Sequence, residues 1–259
     1  MLFTALLASF LAFAGHASAA TWYFLRYYPA SGEKFTSFSG EMTIPPLPKA
    51  GTYYLWPGLQ PTDNSGVYQN VLDGRSGTWW IGSGWCCSNP NLPWGSGFNT
   101  YAGEKVKFIN QLDSSGSSWS SNLTRQSTDI TVLDVFPLAG KSFNQALFAI
   151  ELTGVDWDFG PLAFSNVVIV SEQLKTPPIF NLNPLPPFFL FFHFFLFFIY
   201  TSLWPNSKQT STGTDSSWCN TKPENYNGAT VYSISGLSAS VSDNTVTCKI
   251  DSVILQRPA

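Results

Sequence analysis

The sequence predicts an all-β protein, an antiparallel β-sandwich or jelly roll. Three observations predict it. Short runs rich in Val, Ile, Tyr, Phe and Trp recur along the chain, clusters of Gly, Asn, Ser, Asp and Pro separate them, and no long segment carries a 3.6-residue period. No dinucleotide fingerprint, phosphate loop or βαβ rhythm interrupts this pattern.

The strand runs fall at residues 52–56 (TYYLW), 67–72 (VYQNVL), 78–81 (TWWI), 105–109 (KVKFI) and 129–136 (DITVLDVF). Residues 146–152 (ALFAIEL), 164–170 (FSNVVIV) and 246–255 (VTCKIDSVIL) continue the series. PTDNSG, DGRSG, SNPNLPWGSG and DSSGSS lie between them, where small and polar residues accept turn geometry. Side chains on a strand alternate between faces. Phe148, Ile150 and Leu152 therefore share one face, and Glu151 points the other way with Leu147 and Ala149. By the same rule Gln69 shares a face with Val67 and Val71. A solvated Glu and a hydrogen-bonded amide are the plain readings of these two residues; the alternative puts both on the concave floor of the sandwich.

Residues 1–19 read as a signal peptide, an apolar stretch ending in Ala17-Ser18-Ala19. An extracellular, secreted protein is expected, and the sequon Asn122-Leu123-Thr124 offers Asn122 for glycosylation on that route. Cys86, Cys87, Cys219 and Cys248 then read as two disulfides. Cys219 with Cys248 is the favoured pair, and Cys86 and Cys87 bridge each other or reach elsewhere. Charged residues make up 11% of the chain, with a formal net charge of −3. That argues against a nucleic-acid partner, which needs clustered Lys and Arg. No Cys or His spacing suits a metal, and no cofactor is implied.

Residues 175–209 stand apart. Nine of the 22 Phe fall between Phe180 and Phe198. A translated polypyrimidine tract gives such text, because Phe, Leu, Pro and Ser codons are pyrimidine-rich. The run is read as a retained intron, with a membrane span over 188–204 as the alternative, at the short limit for a crossing helix. The sandwich domain is then residues 20–174 plus 210–259. The two histidines, His16 and His193, fall in the signal peptide and in this run. A domain without imidazole excludes Ser-His-Asp and Cys-His catalysis and leaves carboxylates, amides and aromatic faces.

Six landmarks follow one another: YLWPGL (54–59), YQNVL (68–72), TWWIGSGW (78–85), YAGEKVKF (101–108), ALFAIEL (146–152) and GPLAFSNVVI (160–169). Their order resembles that in secreted fungal proteins with a concanavalin-A-like lectin/glucanase sandwich, including the glutamic peptidase (eqolisin) branch. The resemblance spans about 53–170, with a weaker tail around Trp218-Cys219 and Cys248. It implies a catalytic Gln at Gln69 and a catalytic Glu at Glu151. A carboxylate can act as general base and then general acid, and an amide can donate to an oxyanion. The chain departs from that branch in two places. Residues 78–85 hold no acidic residue, and Asn70-Val71-Leu72 replaces a small-Gly-Val sequence.

Trp79, Trp80, Trp85, Trp94 and Trp119 are dense for one domain, and Trp80, Trp85 and Trp94 are the candidates for stacking on sugar; the plain reading places such indoles in the core. A glycosidase needs two carboxylates about 5–10 Å apart. The E-x-D-x-x-E signature is absent, and Asp156 and Asp158 suit the capping of a loop. The partner expected is a polysaccharide or a protein. The first reading is a carbohydrate-interacting protein, the alternative is an acid glutamic endopeptidase using Glu151 and Gln69, and the third is a non-catalytic secreted protein.

Overall fold

Alternation of apolar and polar residues builds two antiparallel sheets that pack face to face. The computed structural model describes residues 19–87, 89–173, 214–227 and 231–259. Residues 1–18, His193, the 175–209 run and its 188–204 candidate span lie outside them.

One sheet has seven strands, β12-β1-β10-β3-β4-β5-β6. In chain order these are β1 (Thr21–Tyr27), β3 (Thr52–Pro61), β4 (Val67–Asp73), β5 (Trp79–Cys86), β6 (Gly97–Thr100), β10 (Phe143–Thr153) and β12 (Glu224–Tyr226). The other runs β13-β15-β11-β2-β7-β8-β9, with β14 also paired to β15. Its strands are β2 (Glu33–Thr43), β7 (Lys105–Leu112), β8 (Trp119–Arg125), β9 (Ile130–Phe136), β11 (Leu162–Gln173), β13 (Tyr232–Ser235), β14 (Ser238–Ser242) and β15 (Thr245–Leu255). A single short helix, α1 (Ser217–Asn220), appears among the described residues. The chain is therefore an antiparallel β-sandwich of jelly-roll type, as the sequence predicts. Strands β1, β2, β6, β8, β12, β13 and β14 are not among the runs read from the sequence.

The core lies between the sheets. Phe38, Phe108, Phe148 and Phe164 meet edge-on or tilted, with ring centroids 4.8–6.4 Å apart. Tyr68, Trp119, Phe136 and Phe143 form a second aromatic group. Each such side chain contributes about 1.5–3 kcal/mol by leaving water. Turns follow the sequence signals. At the β7–β8 hairpin, for example, Gly116 takes a φ of 73°, and Asp113 Oδ1 accepts from Ser117 N at 3.0 Å.

A polar cluster interrupts the core behind β4. Asn70, Ser83, Asn110 and Ser121 are all fully buried. Asn70 Nδ2 donates to Ser121 Oγ at 2.7 Å and to Ser83 Oγ at 3.0 Å. Asn110 Nδ2 donates to Asn70 Oδ1 at 2.7 Å. Because Asn70 and Ser83 belong to one sheet and Asn110 and Ser121 to the other, these bonds fasten the sheets together. They also explain why an amide stands at position 70.

The disulfides join Cys219 to Cys248 and Cys86 to Cys87. The first ties α1 to β15; the second lies at the end of β5. No helix among the described residues is long and apolar enough to cross a membrane. Removing Asn70 leaves buried groups unpaired in both sheets. Asn70→Ala is expected to lower unfolding stability by about 3 kcal/mol in chemical denaturation, against less than about 0.5 kcal/mol for Ser120→Ala on the outer face.

Candidate functional site

The outer face of the seven-stranded sheet carries a cleft of about 1340 Å³. It forms because β1, β3, β4, β5 and β10 place apolar and polar side chains there in alternation with the core set. Trp56, Val71, Leu147 and Ala149 pack together on this face, and Trp56 and Val71 reach the cleft as its apolar floor. Gln69, Glu151, Trp80 and Trp94 line it together with Trp22, Tyr54, Asp73 and Arg75. Thus four of the five candidate catalytic and stacking residues share one cavity.

Trp85 does not. It follows Trp80 by an odd number of positions, so its ring turns into the core, 6.2 Å from Phe143 and only 4% exposed. Trp79 and Trp119 are also core residues. Asn122 lies on the far sheet, facing outward on β8, half-buried, and its Oδ1 accepts from Thr124 Oγ1 at 3.3 Å.

Register divides the cleft into cross-strand rows. One row reads Trp22, Glu151, Tyr54, Asp73, Trp80 and Asn99 across β1, β10, β3, β4, β5 and β6. Another reads Arg26, Leu147, Gly58, Gln69 and Gly84. Gln69 therefore faces Leu147 across Gly58. Glu151 stands two strands away and four residues further along, roughly 16 Å between Cα atoms.

The glycines of β5 and β6 give the Trp side chains their pose. A Cβ on Gly82 would come within 2.6 Å of Trp80 Cζ3, and one on Gly97 within 2.5 Å of Trp80 Cε2. A Cβ on Gly84 would come within 2.6 Å of Trp94 Cδ2. Both indoles thus lie flat on bare backbone with one face turned to the cleft. Trp94 is 42% exposed. Its loop is held by Gly95 N donating to Ser83 O at 2.8 Å and by Ser96 N donating to the Asp134 carboxylate at 3.0 Å. The opposite rim is fixed by Arg26, which pairs with Glu224 at 2.8 Å and donates to Gln145 Oε1 at 2.7 Å; Gln145 in turn donates to Asn64 at 2.9 Å.

Glu151 is half-buried, and its carboxyl makes no hydrogen bond or ion pair among the described residues. Burial pushes its pKa above the usual carboxylate value. Asp73 instead pairs with Arg75 at 2.7 Å, and that guanidinium lies 5.3 Å over the Tyr54 ring. Tyr54 is pushed up by burial first; the Arg75 charge beside it acts the other way, and the Asp73 and Glu151 charges add smaller upward effects. The amide of Gln69, a residue only 7% exposed, has no hydrogen-bond partner among the described residues. Asp156 and Asp158 lie elsewhere, in a loop where Asp158 accepts from Tyr53 at 3.0 Å and Trp157 donates to Gly160 O at 2.7 Å.

The sequence reading missed Trp22, Tyr54, Trp56, Asp73 and Arg75. The signal for Asp73 was available: it is four residues beyond Gln69 on the same strand, hence on the same face.

No protein-family model and no curated protein matches the chain. Among solved structures it is similar to Scytalido-glutamic peptidase in complex with a peptide-based transition state analog, at 14% identity over 90% of this chain and 99% of that one, with a TM-score of 0.45. It is also similar to SCP-B, an eqolisin-family peptidase in complex with the tripeptide Ala-Ile-His, at 14% identity, 90% and 99% coverage and TM-score 0.43. Chicken galectin 2 matches at 10% identity over 51% of this chain and 96% of its own, TM-score 0.31.

Two outcomes follow from this geometry. Gly84→Val is expected to lift the Trp94 indole, increasing acrylamide quenching of Trp emission with the far-ultraviolet dichroism unchanged; equal quenching would show that the glycine does not seat it. Because Glu151 keeps its proton to higher pH folded than unfolded, its stabilising effect is complete below the unfolded pKa and is lost as pH rises through the folded one. Thermal midpoints from about pH 4 to 7 should therefore fall less steeply with pH in Glu151→Gln than in the unaltered protein.

Proposed function

We propose that this cleft binds a neutral oligosaccharide. The observation that carries the reading is the pair of indoles, Trp80 and Trp94, seated flat on glycines with a face open to the same cavity as several amides. A sugar ring offers an apolar C–H face to stack on an aromatic surface and hydroxyls that need donors and acceptors at its edge. Gln60, Asn64, Gln69 and Asn99 supply both kinds of group. Among the described residues the only Lys or Arg in the lining is Arg75, which is already paired with Asp73. An anionic polymer would need an unpaired cation, so a neutral one fits better.

The register favours a glycan over a scissile peptide. A Glu/Gln peptidase requires both groups at one carbonyl carbon, whereas Gln69 faces Leu147 and Glu151 lies two rows away. Secretion and glycosylation at Asn122 belong to this proposal, which suits an extracellular partner.

The test is binding of the full chain to an array of neutral and acidic glycans. Trp80→Ala and Trp94→Ala are each expected to weaken retention of neutral glycans about tenfold, the ratio that 1.4 kcal/mol produces. Retention confined to acidic glycans, or unaffected by either change, would overturn the proposal; cleavage of an unfolded protein at acid pH that fails in Glu151→Gln would restore the peptidase reading.

A further inference from the structure

We propose that Glu151 and Asp73 form the acid and base of an inverting glycoside hydrolase whose scissile bond lies between them, beside the Arg75 guanidinium that covers the Tyr54 ring. This inference rests on the glycan reading of the cleft and adds a reaction to it.

The geometry begins with the row Trp22, Glu151, Tyr54, Asp73, Trp80. The two carboxylates flank Tyr54 in register, two strand spacings apart, so their Cα atoms are separated by roughly 9.6 Å. Inverting enzymes hold their carboxyl groups about 6.5–9.5 Å apart to leave room for water, while retaining enzymes bring them to about 5–5.5 Å. Side chains that rise side by side from one face keep about that spacing, which is near the wider class and well beyond the narrower one. Trp22 and Trp80 end the row about 19 Å apart, the length of a short oligosaccharide laid across the strands.

The carboxylates are not alone in pointing to a ligand. The Gln69 amide is aimed into the same cavity, more than nine-tenths buried and without a hydrogen-bond partner among the described residues. An amide held at the cleft surface without a protein partner is free to bond the hydroxyls of a polar ligand.

The two environments divide the roles. Glu151 sits among Trp22 and Tyr54 and makes no ion pair among the described residues, which suits the acid. Asp73 is held in place by Arg75, which suits the base. In the reaction Glu151 gives its proton to the glycosidic oxygen as the bond from that oxygen to the anomeric carbon breaks. A water oxygen attacks the opposite face of that carbon and gives its proton to Asp73. The products are an alcohol and a hemiacetal of inverted configuration. Proton exchange with solvent then returns Glu151 to the acid and Asp73 to the anion, so one water is consumed and the balance closes.

The experiment incubates the full chain with soluble β-1,3-glucan, β-1,4-glucan, xylan, mannan and α-1,4-glucan, and follows new reducing ends and the first-formed anomer by proton NMR. Binding of the unaltered protein to the same glycans is measured in parallel. The expected result is hydrolysis with inversion, reduced at least about 100-fold in Glu151→Gln and in Asp73→Asn. Azide should restore turnover to Asp73→Gly, as the anion attacks in place of water; an unfolded variant could not show this rescue. Hydrolysis with retention, or hydrolysis indifferent to these changes, overturns the acid–base pair. Binding without hydrolysis overturns the pair and leaves the glycan-binding reading standing, whereas neither binding nor hydrolysis overturns both.

Discussion

Period-two alternation in the seven-stranded sheet is the constraint on which the rest depends. Both faces of this sheet are rich in aromatic residues, so hydrophobicity alone does not tell core from cleft. Register does. Trp79 and Trp80 are neighbours in sequence, yet one is a core residue and the other lines the cleft. A slip of one residue on β5 would exchange them, bury the polar row and expose Ile81. The packed sheet below, with Phe148, Ile150 and Leu152 fully or almost fully buried on β10, fixes that register and therefore positions Glu151.

The cleft is supported from behind and from the side. Behind it, Asn70 binds groups of both sheets next to Gln69 on the same strand, so the strand carrying Gln69 and Asp73 is fastened on its hidden face. Asn110 Oδ1 is left without a partner in this network; the bonds that are made tie the two sheets in one arrangement. At the side, the glycines of β5 and β6 let indoles lie against backbone, and Asp134 on the second sheet holds the loop that delivers Trp94. Rigid elements of this sort limit the ordering cost when a ligand binds.

Much of this was legible in the sequence, and what was missed has physical causes. The all-β class followed from run lengths and turn residues. The faces of Glu151 and Gln69 followed from alternation, as did the apolar company of each. Cys219 and Cys248 pair as favoured. Trp85 was misassigned because density of Trp was read without counting parity from Trp80. Trp22 and Tyr54 reach the site through strand order, which places β1 and β3 on either side of β10; local pattern carries no information about that. The resemblance to glutamic peptidases named Gln69 and Glu151 together, but only the register reveals that Leu147 occupies the row of Gln69 and that Asp73 occupies the row of Glu151.

The most direct test of the account is a map of the indole N–H resonances as a neutral oligosaccharide is titrated into the protein. The account predicts that Trp22, Trp80 and Trp94 shift together while the core indoles of Trp79, Trp85, Trp119 and Trp157 stay in place. Shifts concentrated on the core set, or on none of the three cleft indoles when the sugar binds, would contradict it, because the ligand would then be recognised away from this face.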